Sequence, residues 1–240
     1  MQLGTVETRY SKKFSYIIDT DEAVHLENYG EYKQKEINLL KLLLHNNVGD
    51  TFVYDVGAGI GTRTIALSKM AAVIAFEHNE DKLKVLKMNT QGKIAPNVMI
   101  IPKSLETTDP HAKDIPNLDG QLMQLPEPTL VCITGDSTRV LRGMTATMML
   151  IKPVIYIDIA NTEDISYQYS ILVERGYKMY WYSCPGFNLN NFKEKQLNIT
   201  ADSFYMNILA IHEDVDIHDG GIDLPRIDGP NDNWKRFNND

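Results

Sequence analysis

Apolar residues along the chain fall into short unbroken runs separated by stretches with helical spacing. The runs TFVYDVG, AVIAFE, NVMII, TLVCI and PVIYIDI read as buried strands. TRTIALSKM, between the first two, has apolar positions at 65, 67 and 70 and reads as a helix. NEDKLKVLKMN places Leu83 and Leu86 on one face, and STRVLRGMTATMML is a third helical segment. EDISYQYSILVERG is a fourth, closed by Gly176 where a left-handed cap is expected. YKMYWYS and SFYMNILAI follow with no helix between them, so they should pair antiparallel at one edge of the sheet. Ahead of the first strand, residues 31–45 form a leading helix with Ile37, Leu40 and Leu44 on its buried stripe, and 13–29 reads as a hairpin or short two-strand cap.

This alternation predicts an α/β fold: a mostly parallel seven-stranded sheet with an antiparallel edge strand and helices on both faces. Two stretches break the rhythm. Residues 102–128 carry Pro102, Pro110, Pro116, Pro126 and Pro128, and residues 184–200 (CPGFNLNNFKEKQLNIT) interrupt the final strand pair. Long loops inside compact domains are more often functional than idle.

At 240 residues the chain holds one large domain or two cramped ones. Its 43% hydrophobic and 23% charged residues exclude wholesale disorder. No run approaches the ~20 apolar residues of a membrane helix, and the opening MQLGTVETRYSKK does not read as a secretory signal. Cys132 and Cys184 make no disulfide framework, which points to a reducing, cytoplasmic setting. The net charge of −8 argues against a nucleic-acid partner. Much of that charge lies in residues 213–240, whose glycines and prolines suit an extended surface tail, with Trp234 and Phe237 able to dock its end. The expected organisation is a hairpin or cap over 1–30, a main domain over 31–212 and the acidic tail over 213–240.

The sharpest chemical feature is VYDVGAGIGTRT. Asp55 ends a strand, Gly57 permits a tight turn, and Ala58 and Gly59 let backbone approach a ligand. Gly61 allows close packing, and a helix opens near Thr62 with unpaired N–H groups. Glu77, 22 residues beyond Asp55, closes the next strand in position for a ribose diol. A dinucleotide site needs GxGxxG facing a pyrophosphate. Here the spacing is GxGxG, and an acid stands two residues before the first glycine, suited to a ligand ammonium. Both differences point to S-adenosylmethionine as cofactor.

With these residues the sequence resembles the S-adenosylmethionine-dependent class I methyltransferases, and more narrowly the FkbM-type O-methyltransferases. The segments YGEYKQKE, VYDVGAGIGTRT, AFEHNEDKLKVLKMN, NVMIIPKSL, IPNLDGQLMQLPEPTLVCI, VLRGM with KPVIYIDI, and NILAI carry the likeness across roughly 14–212. The resemblance implies a Rossmann-like fold and transfer of a methyl to a hydroxyl, on a carbohydrate or glycosylated small molecule. The family's KIDVEG-like signature after the fourth strand reads VCITGDST here, with Cys132 and Thr134 where its acids stand and Gly135 retained. That departure keeps a second reading open, a degenerate protein that binds the cofactor or its demethylated product without catalysis.

Asp136 is the candidate general base, or equally an N-cap. Glu31 stands by resemblance near the methionine moiety, or as a first-turn helix acid. His78 suits a cofactor contact beside Glu77, and Ser104 an adenine contact or a plain turn. His111 reads as a solvated loop residue and Asp119 as a turn former. Asn188, Asn190, Asn191 and Phe192 suit either a polyol or ordinary turns. No His/Cys/carboxylate set has metal-ligand spacing, so no metal is expected.

Overall fold

The computed structural model describes residues 1–45, 50–92, 94–105, 117–121, 124–159, 165–200, 203–215 and 223–234. His111 and Phe237 lie outside the described residues, as do parts of the proline-rich stretch and of the tail.

An N-terminal hairpin, β1 (Leu3–Thr8) and β2 (Ser11–Ile17), leads into α1 (Asp21–Tyr29) and α2 (Gln34–His45). The hairpin stands earlier than the 13–29 expected for it, and the second half of that segment is helical. The cause is local capping. Thr20 Oγ1 accepts the Ala23 N–H, Asp21 and Glu22 occupy the first turn, and Gly30 closes the helix at φ +66°. In α2 the apolar stripe is as expected, with Ile37, Leu40 and Leu44 buried.

The main sheet follows as β3 (Phe52–Val56), β4 (Ala72–Phe76), β5 (Val98–Ile101), β6 (Leu130–Thr134), β7 (Val154–Asp158), β8 (Tyr177–Pro185) and β9 (Phe204–His212). Between them lie α3 (Thr62–Leu67), α4 (Glu80–Thr90), the short α5 (Leu118–Gln121), α6 (Ser137–Arg142), a π-turn at Thr147–Ile151, and α7 (Ser166–Val173). The order across the sheet is β5-β4-β3-β6-β7-β9-β8. The five strands β3 to β7 pair in parallel, and β9 runs antiparallel to both β7 and β8, giving the antiparallel edge pair that the pattern implied. Gly176 ends the α7 region at φ +79°, as its spacing predicted.

The strands at the sheet centre are buried on both sides, which is why they read as continuous apolar runs. One face packs on α6 and α7 through Ile133, Leu141, Ile157 and Leu172, the other on α2 through Leu40, Leu43 and Leu44. The strand order reverses between β3 and β6, so both leave a crevice at their C-terminal ends, where open α/β sheets bind ligands.

The described part of the acidic tail lies along the sheet edge. Pro225 O accepts the Trp181 N–H, the Ile227 N–H reaches Met179 O, and Ile227 is buried. Trp234 meets Phe204 edge to face at 5.2 Å. Two backbone groups of the edge strand, Trp181 N–H and Met179 O, are thereby taken up and not offered to another chain.

Candidate functional site

The glycine turn after β3 shapes the crevice. Gly57 has φ +72°, and a Cβ there would stand 2.1 Å from Thr134 O, so β3 and β6 can converge only around a glycine. Gly61 holds φ +93° and backs onto Leu86 of α4. Gly59, at φ +60°, has nothing within 4 Å of its Cβ direction and faces open space. The Gly57 and Ala58 N–H groups both donate to Phe76 O, which ties the turn to the end of β4.

Two lobes open from this turn and share Gly57, Lys82 and Thr134. The first is bounded by Val56, Phe76, Glu77, His78, Lys103, Ser104 and Leu105, bringing together three residues expected there from sequence, Glu77, His78 and Ser104. Glu77 is buried. Its Oε2 accepts the Gly59 N–H at 2.8 Å and its Oε1 the Asn79 N–H at 2.8 Å. A carboxylate has about four acceptor sites, so these two bonds orient it and leave capacity for a diol.

The second lobe is bounded by Glu22, Tyr32, Lys33, Glu36, Ala58, Gly59, Thr62, Arg63 and Asp158. Its floor is an ionic network. Arg63 donates to Asp55 Oδ1 from Nε at 2.9 Å and from Nη2 at 2.7 Å, to Glu36 Oε1 at 3.2 Å and to Thr134 Oγ1 at 3.0 Å. The paired carboxylates outweigh burial and hold Arg63 firmly protonated. Asp55, fully buried, accepts the Thr64 hydroxyl on Oδ2 at 2.6 Å. It therefore faces Arg63 and Thr64 rather than a ligand ammonium. Thr62 lines the lobe, with its hydroxyl given to Glu22 Oε1 at 2.6 Å. Burial pushes the Glu22 carboxyl up, against the pull of that bond.

Across the lobe Lys33 Nζ meets Asp158 Oδ2 at 2.6 Å and stands 4.4 Å from the Tyr205 ring centre. Reading the sequence alone passed over Lys33, Glu36, Arg63 and Asp158. Asp158 had a usable signal, an acid closing a buried strand; Glu36 and Arg63 looked like ordinary polar positions of amphipathic helices.

Two of the expected site residues, Glu31 and Asp136, serve another task. Glu31 is buried outside both lobes, where Oε2 accepts from Arg9 Nη2 at 2.8 Å and from the Phe192 N–H, and Oε1 from Asn188 Nδ2 at 2.7 Å. It clamps the 184–200 loop to the hairpin. The Asn188–Phe192 group is built into the same clamp, with Asn191 Nδ2 bonding Asn188 O and Lys195 O. Asp136 is the N-cap of α6, accepting the Arg139 N–H at 3.1 Å and pairing with its guanidinium, and the cleft lining ends at Gly135. Asp119 accepts the N–H groups of Ala146 and Thr147, fastening the π-turn. Among the described residues no group of three metal-ligating side chains could hold an ion, and no helix is long and apolar enough to cross a membrane.

No protein-family model and no curated protein matches the chain. Solved structures do. A SAM-dependent O-methyltransferase from Thermotoga maritima is 14% identical, with a TM-score of 0.54 over 89% of this chain and 79% of that one. TYW2 from M. jannaschii, in complex with AdoMet, is 16% identical, with a TM-score of 0.51 over 87% and 84%. A methyltransferase FkbM from Methylobacillus flagellatus is 17% identical, with a TM-score of 0.43 over 67% of this chain and 43% of that one, too slight a likeness to carry the subtype. The chain has the Rossmann-like fold of S-adenosylmethionine-dependent methyltransferases.

Proposed function

We propose that the chain is an S-adenosylmethionine-dependent methyltransferase acting on a hydroxyl, the acceptor being a carbohydrate or a glycosylated small molecule. The observation that carries this reading is the union of Gly59, open to the cleft at positive φ, with a buried Glu77 whose carboxylate is oriented by the Gly59 and Asn79 N–H groups. That pairing suits a ribose laid across the glycine turn. His78, Ser104 and Leu105 then border the base, while Ala58, Thr62 and Gly57 border the amino-acid arm.

The cofactor supplies a sulfonium methyl, open to in-line displacement by an oxygen. The protein's task is to place that oxygen about 3 Å from the carbon and to accept its proton. Asp136, turned to its cap, gives way in this role to Asp158, which closes β7 at the wall of the second lobe. Lys33 holds the Asp158 carboxylate in place and can hydrogen-bond the incoming oxygen.

The reading without catalysis draws on Cys132 and Thr134, which stand where the FkbM-type acids would. Cys132 is fully buried, with its thiol pushed up by burial, and Thr134 Oγ1 accepts from Arg63. Incubation with methyl-labelled cofactor and a library of sugars and polyols separates the two. Label transferred to an acceptor, abolished by Asp158→Asn, supports the enzyme; firm cofactor binding with no label transferred to any acceptor supports the binding protein.

A further inference from the structure

Beneath the glycine turn, α2 presents one carboxylate whose hydrogen bonding is half complete. Glu36 is 2% exposed, borders the second lobe together with Gly57, Ala58 and Gly59, and gives Oε1 to Arg63 Nη1 at 3.2 Å. Its Oε2 is buried and has no hydrogen-bond partner. Buried polar atoms in native proteins are nearly always satisfied, so an unpartnered, buried carboxylate oxygen on a residue that borders the cleft calls for a donor. An ionised carboxylate only accepts, and an ammonium only donates. The carboxylate that the motif offered for this task, Asp55, has both oxygens committed to Arg63 and Thr64.

We infer that Glu36 Oε2 is the anchor for the α-ammonium of the cofactor's amino-acid arm, and that this contact makes the cleft select S-adenosyl amino acids over simple 5′-thioadenosines. The inference rests on the proposal that the cleft holds S-adenosylmethionine, and it names the residue that discriminates among ligands sharing the adenosine. Burial pushes the Glu36 carboxyl up, Arg63 and Lys33 pull it down, and Asp158 adds to the rise. A ligand cation at Oε2 would add to the pull of the two basic side chains and favour the ionised form of Glu36.

Calorimetry with three ligands tests this: S-adenosylhomocysteine, the same molecule lacking its α-amino group, and 5′-methylthioadenosine, which lacks the whole arm. Glu36→Gln should weaken S-adenosylhomocysteine about 10- to 100-fold, the range of a charge-assisted hydrogen bond. It should leave 5′-methylthioadenosine within about twofold of wild type, which also shows that the variant is folded. Wild type should lose a similar factor when the amino group is removed from the ligand, and Glu36→Gln should add no further loss. The inference is overturned if the variant binds S-adenosylhomocysteine like wild type, if it weakens 5′-methylthioadenosine equally, or if wild type ignores the missing amino group. Wild type that binds none of the three ligands would instead overturn the cofactor reading, and this inference with it.

Discussion

At the scale of single residues, the three glycines of the turn have separable tasks. Gly57→Ala would force a methyl to 2.1 Å from Thr134 O in addition to the strain of φ +72°, and the neighbour is backbone that cannot swing away. Gly59→Ala meets no atom within 4 Å and bears only the left-handed strain, about 1 kcal/mol. Thermal melts should therefore show Gly57→Ala several degrees less stable than Gly59→Ala, while Gly59→Ala should lose affinity for S-adenosylhomocysteine by crowding the cleft. Equal melting temperatures would contradict the assignment. These glycine roles were legible because positive φ and close approach are demands that a sequence motif records directly. The polar floor was not. Glu36 sits in a helix whose apolar stripe explains the pattern without it, and Lys33 finds Asp158, 125 positions further on, only once the chain folds.

The elements that carry the site depend on ionic and capping contacts. Arg63 fastens α3 to β3 through Asp55 and to α2 through Glu36. Arg63→Met would leave two buried carboxylates uncompensated, so denaturant unfolding should show a loss of about 3–5 kcal/mol. In α1, Thr20→Ala removes the N-cap, worth about 1 kcal/mol, and should lower the melting temperature by about 2–4 °C. That helix escaped recognition because its stripe is short and its caps, Thr20 and Gly30, are the stronger signal. His25 on the same helix is 1% exposed, and burial pushes its ring below the ordinary 6.5, with Asp21 pulling the other way. The unfolded chain takes up a proton below that value before the folded chain does. Stability should thus fall as the pH drops below 6.5, and His25→Gln should flatten that slope in melts on the acid side of that value. A slope unchanged by the substitution would assign it to other groups.

For the whole molecule, strand number, the parallel core and the antiparallel closing pair were all readable, because strands buried on both faces leave unbroken apolar runs. The course of the tail was not. Its composition is that of a solvated segment, yet Pro225, Ile227 and Trp234 lie along β8 and β9, contacts set by the partner surface rather than by the tail's own pattern. Sheet order and glycine turn together place the cleft at the C-terminal ends of β3 and β6, and the proposed function depends on what that cleft holds. Calorimetry of ligand-free protein with S-adenosylhomocysteine, on wild type and on Glu77→Ala, tests it most directly. Saturable heat from wild type, weakened about tenfold or more in Glu77→Ala, is the predicted result. No heat from wild type, or an affinity indifferent to Glu77→Ala, would contradict it.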